Sequence, residues 1–271
     1  MPSLLVATDF SAAGNQAVHY TCRLAADLRY GVTVLHSYVV PVAFSETPMP
    51  LVPVQDMQEI SEGHLAELLG QLQTQYPGVS IEKRLLYGDI LDCLREEAER
   101  MQPALVVTGN NGAGQSDLWL GSTAVTVLRH LNTSVLAIPD GAEYNAIRNI
   151  CLACDFKDID GQMPVAPLRQ WLQATGAQLH VLHVSREGAA DEDLRYEDTP
   201  LPGLLEGCAV TYHYDTAPGS VDERITGFAA EQHMDWLALM PHHHGFWESL
   251  FHKSHTKAMA RMSQVPVLAL H

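Results

Sequence analysis

Short apolar runs alternate along this chain with longer segments in which apolar residues recur at helical spacing. LLVATDF (4–10), VTVLHSY (32–38), ALVVTG (104–109) and SVLAIP (134–139) are apolar over most consecutive positions. That is the pattern of strands covered on both faces, not of strands with one wet side. Between the first two, SAAGNQAVHYTCRLAADL (11–28) opens on Ser11 as a helix N-cap and brings Ala17, Leu24 and Leu28 near one face. QDMQEISEGHLAELLGQLQ (55–73) repeats the signal through Met57, Ile60, Leu65, Leu68 and Leu72, and LDCLREEAERM (91–101) follows the polar turn Gly88-Asp89. Alternating strand and helix predict βαβ units with right-handed crossovers and a parallel sheet.

The pattern occurs twice. LLVATDFS (4–11) is echoed by ICLACDFK (150–157), and VTVLHSY by QLHVLHV (178–184). ALVVTG corresponds to WLALMP (236–241) and SVLAIP to PVLALH (266–271). The last two pairs share an offset of 132 residues while the earlier ones sit at 146 to 147, so the second copy is shorter in its middle. The repeat predicts two tandem open α/β sandwich domains, each a mostly parallel sheet of about five strands with helices on both faces. Their expected bounds are 1–141 and 147–271, with 142–146 as linker. Residues 185–207, acidic and Pro-containing, are expected to form an irregular or poorly ordered connection.

Charge and composition narrow the function. Asp and Glu number 32 against 16 Lys and Arg, a formal net charge of −16, which repels nucleic acid and anionic membrane surfaces. No segment has the roughly 20 unbroken apolar residues of a membrane span, and MPSLLVATDF lacks the basic start of an export signal. A cytoplasmic protein is expected. The five cysteines are odd in number and thinly spread, as thiols are. Cys151 and Cys154 lie in a strand-like run, where a spacing of three points them to opposite faces.

In open α/β sheets ligands bind beyond the carboxyl ends of the strands. There the chain offers Asp9 after the first strand, Ser37 on the second, and the loop TGNNGAGQSDLWLGST (108–123) after the fourth. Gly121-Ser122-Thr123 opens the next helix, whose free N–H groups suit a phosphate chain. Gly109 and Gly112 would let backbone approach it closely, Ser122 and Thr123 would donate hydroxyls, and Asp9 would accept from a ribose or reach a magnesium ion.

On ATDFS near the start, VLH, GDI and the loop followed by SVLAIP, the chain resembles the universal stress protein family, specifically its tandem members. The resemblance covers essentially the whole chain and implies the adenine-nucleotide alpha hydrolase-like fold. It implies Asp9 near adenine and ribose, Ser37 near the base, and Thr108, Gly109, Gly112, Gly121, Ser122 and Thr123 around the phosphates of ATP. The family pattern is Gly-x2-Gly-x9-Gly-Ser/Thr; here eight residues separate Gly112 from Gly121, one short. In the second copy Gly109, Gly112 and Gly121 become Pro241, His244 and Lys253, so ATP is expected in the N-terminal half only. With no Walker loop and no activated nucleophile, a binder is expected rather than an efficient enzyme. Two other readings stand beside it. One is a non-nucleotide scaffold for unidentified protein clients. The other is a metal site on the histidine-rich segment, through His242, His244, His252 and His255, although no zinc-like spacing encodes one. The closing strands SVLAIP and PVLALH are expected to pair, making one chain a pseudo-dimer that leaves room for a further homodimer.

Overall fold

The computed structural model describes residues 1–40, 42–43, 49–50, 53–110, 122–154, 164–184, 195–240 and 265–271. In the first half, β1 (Ser3–Ala7), β2 (Gly31–Tyr38), β5 (Ile81–Tyr87), β6 (Leu105–Gly109) and β7 (Val135–Ile138) are linked through α1 (Ala12–Leu28), α2 (Val54–Gln75), α3 (Ile90–Met101) and α4 (Ser122–His130). A small antiparallel pair, β3 (Val42–Ala43) with β4 (Met49–Pro50), interrupts the second crossover. In the second half β8 (Asn149–Ala153), α5 (Val165–Thr175), β9 (Gln178–Val184), α6 (Leu201–Leu204), β10 (Val210–Asp215), α7 (Val221–Glu231), β11 (Trp236–Leu239) and β12 (Val267–Ala269) repeat the theme.

All the larger strands join one ten-stranded sheet in the order β10-β9-β8-β11-β12-β7-β6-β1-β2-β5. Every pairing is parallel except the central one, where β12 meets β7 antiparallel with Leu268 opposite Leu136. Apolar runs on consecutive positions supply both faces. Leu4 and Val6 enter one core with α1 and α2, while Leu5 and Ala7 enter the other with α3 and α4. Cys151 and Cys154 divide in the same way between the two cores, and all five cysteines are free thiols. Burial pushes the Cys151 thiol up to about 12, which suits an inert core residue rather than a redox pair.

Ser11 caps α1 as its sequence predicts, its Oγ accepting from the Gly14 N–H at 3.1 Å. One expectation needs correction. Ile60 is 51% exposed, because the buried stripe of α2 is Ser61, Leu65, Leu68 and Leu72, and Ile60 falls on the neighbouring stripe with His64. Of the connection expected to be irregular, residues 185–194 lie outside the described residues, and the rest holds two short helical turns. A 3-10 turn (Tyr196–Asp198) lays Tyr196 on Tyr212, with ring centroids 3.5 Å apart. The helix α6 then sinks Leu201 and Leu205 into the core, so a few apolar residues outweigh an acidic surrounding.

Candidate functional site

The first half has its topological switch between β1 and β6. From β1 the chain winds outward through β2 to β5, then returns across the sheet to β6 and β7. The carboxyl ends of β1, β2 and β6 therefore form a crevice of the kind in which α/β sheets hold ligands. Register fixes what meets there. The Thr8 N–H donates to the Leu35 carbonyl at 2.9 Å, and the Thr8 carbonyl accepts from His36 Nδ1 at 2.8 Å. Because a carbonyl only accepts, that nitrogen carries the ring proton. Asp9 follows the end of β1, Ser37 lies near the end of its neighbour β2, and Thr108 and Gly109 end β6 on the other side.

The turn from β1 into α1 is held by its own side chains. Thr8 Oγ1 accepts from the Phe10 N–H at 3.0 Å, and Asp9 Oδ1 accepts from the Ser11 N–H at 3.0 Å. Asn15 Nδ2 donates to the Phe10 carbonyl at 3.2 Å. Together these hold Phe10 at φ 63°, a left-handed conformation that costs a non-glycine residue on the order of 1 kcal/mol or more. The Phe10 ring is thereby turned onto His36, centroids 4.3 Å apart, and edge-on to His64 at 5.4 Å. A recess of about 240 Å³ opens here, lined by Phe10, Asn15, His64, Glu67, Leu68 and Gln71.

Asp9 is exposed, Ser37 half-buried and Thr108 buried. Ser122 and Thr123 begin α4, exposed and half-buried respectively. Gly112 and Gly121 lie outside the described residues, as does the histidine-rich segment 242–255. Among the described residues no three His, Cys, Asp or Glu side chains converge as metal ligands.

Gly109 has a second reason to lack a side chain. A Cβ there would lie 2.5 Å from the Ala13 carbonyl oxygen. The atom that approaches Gly109 belongs to the first turn of α1, so this glycine seats a helix on a strand. Three residues of the turn, Phe10, Gly14 and Asn15, went unmarked in the sequence. Gly14 did leave a signal, since a glycine inside a helix costs about 0.5–1 kcal/mol against alanine and calls for a reason.

The second half reproduces the backbone part of this arrangement. Cys154 N–H donates to the Leu182 carbonyl at 3.0 Å, and the Cys154 carbonyl accepts from His183 Nδ1 at 3.3 Å, matching Thr8, Leu35 and His36.

Comparison with known proteins decides the family. The model of the universal stress protein family matches residues 1–139, just over half of the chain. The chain belongs to the universal stress protein family. Among solved structures, a universal stress protein from Archaeoglobus fulgidus DSM 4304 superposes with a TM-score of 0.71 at 20% identity, covering 99% of this chain and 97% of that one. A putative universal stress protein from Pseudomonas aeruginosa UCBPP-PA14 gives 0.59 at 13% identity, with 100% and 93% covered. These likenesses establish a shared fold over both halves of this universal stress protein. A universal stress protein in complex with cAMP matches at 23% identity and a TM-score of 0.40, covering 51% of this chain and 95% of its own. No curated protein matches the sequence. Among the described residues, no helix of this universal stress protein is long and apolar enough to cross a membrane.

Proposed function

We propose that this universal stress protein is a cytoplasmic stress-response module that binds ATP, with or without magnesium, in its N-terminal half. The observation that carries the reading is Asp9. Its exposed carboxylate stands at the topological switch of the sheet with one oxygen already anchored by the Ser11 N–H, so it is oriented before any ligand arrives. In the proposed complex Asp9 and Ser37 face the nucleoside. The segment running from Thr108 and Gly109 through Gly112 to Gly121, Ser122 and Thr123 follows the phosphates. Gly109 also seats α1 against β6, where a Cβ would meet the Ala13 carbonyl oxygen. The α4 N-terminus favours an anion at that end.

The division into 1–141 and 147–271, joined through 142–146, belongs to the same reading. The two repeats act as a pseudo-dimer across β7 and β12, and only the first holds nucleotide. The free thiols fit a reducing compartment. The protein acts by binding, with at most slow hydrolysis.

Titration calorimetry with ATP and AMP, with and without magnesium, tests this on the wild type and on Asp9→Ala. The expected result is one site per chain, weakened about tenfold or more in the variant, as loss of a hydrogen bond to a charged group implies. Absence of binding at millimolar nucleotide overturns the reading, and two equivalent sites per chain overturn its restriction to the first half.

A further inference from the structure

Gly14 is the third residue of α1, and a Cβ placed there would stand 2.6 Å from Asp9 Oδ1, 3.0 Å from Thr8 Oγ1 and 3.2 Å from the Asp9 nitrogen. The space a side chain would occupy is filled by the carboxylate of the residue that leads the site. We propose that Gly14 is a positioning residue, whose missing side chain reserves the place from which Asp9 meets its ligand.

The contrast with Gly109 supports this. At Gly109 the obstructing atom is backbone, the Ala13 carbonyl oxygen, which cannot move without the helix. At Gly14 the nearest atom is the end of a side chain, which swings aside at small cost. A methyl group at residue 14 therefore displaces the carboxylate first, and with it the bond from the Ser11 N–H to Asp9 Oδ1, while Thr8 Oγ1 and the Asp9 nitrogen need give only slightly. The Ser11 Oγ cap accepts from the Gly14 N–H, which alanine keeps, so the helix start survives the change. Alanine is also the better helix former, which offsets part of the loss at the turn.

The inference rests on the nucleotide reading for its ligand but not for its geometry. The experiment compares wild type, Gly14→Ala, Asp9→Ala and the double variant in two measurements. In the first, without ligand, the amide signal of Ser11 is followed by ¹⁵N–¹H NMR; it is expected to move in Gly14→Ala as it does in Asp9→Ala, with cooperative melting retained. In the second, ATP affinity is expected to fall about tenfold or more in Gly14→Ala. The double variant is expected to bind no worse than Asp9→Ala alone, because both changes remove one interaction. If the wild type binds neither ATP nor AMP, the nucleotide reading fails and the Ser11 amide still decides whether Gly14 positions Asp9. An unmoved amide, unchanged affinity in Gly14→Ala, or losses that add in the double variant each overturn the inference.

Discussion

Gly14 lies in the first turn of α1 and Gly109 packs against that turn, and each lacks a side chain for a different neighbour. Gly109→Ala forces its methyl group against the Ala13 carbonyl, and overpacking of this kind costs about 1–3 kcal/mol. Chemical denaturation of the ligand-free protein is expected to show that loss, so a weakened ligand in Gly109 variants reports on the fold before it reports on the site. What was legible in the sequence at this scale was local. Ser11 as cap and Asp9 at the strand end follow from residue type and a few positions of context. The partner of Gly109 was not legible, because Ala13 lies far back along the chain and meets it only once the sheet has formed. Nor was the left-handed Phe10, a conformation imposed by Thr8 and Asn15 and not by the preference of phenylalanine.

Each outer strand is tied to the helix that follows it by an ion pair, with the signs exchanged. On the first side β5 supplies Arg84, 2.8 Å from the buried Glu97 of α3, which Arg100 also grips. On the second, β10 supplies Asp215, 2.8 Å from Arg224 of α7. The Arg100 hydrogen bond, joined by that of Arg84, holds the Glu97 carboxyl below the usual carboxylate range against the opposing effect of its burial. A carboxylate depressed in the folded state stabilises it above the unfolded pKa, about 4.3 for glutamate, and that contribution is lost as pH falls through the folded value. Glu97→Gln is therefore expected to melt lower than wild type at neutral pH, with the gap closing below about pH 4.3; thermal melts across a pH series check this. A gap of constant size contradicts it. Elements with strong period were readable, and the double-sided burial of the strands followed from their unbroken apolar character. The short α6 was not readable, since its stability comes from Leu201 and Leu205 reaching a core the local composition does not announce.

Across the whole molecule the repeat foretold most of the topology, because strands in the same order at matched offsets leave few ways to build a sheet. It did not foretell the buried link between the halves, in which Trp236 Nε1 donates to the Tyr20 hydroxyl at 2.9 Å. Tyr20→Phe leaves that indole N–H without its acceptor, and the expected loss is about 1–3 kcal/mol, measurable by denaturant unfolding followed through tryptophan fluorescence. Loss of β12 acts on a larger scale. Deleting residues 265–271 uncovers β7 along the line where β12 had paired, and an uncovered strand recruits other chains. Sedimentation is expected to show association, and a soluble, unaltered monomer contradicts it. The place of β12 has a further consequence. It follows every other strand of the sheet in the chain, yet it lies between β11 and β7. While the polypeptide is still emerging from the ribosome, each half can begin to fold by itself. The seam joining them needs residues 267–269, so the midline of the sheet cannot be complete before they are in place.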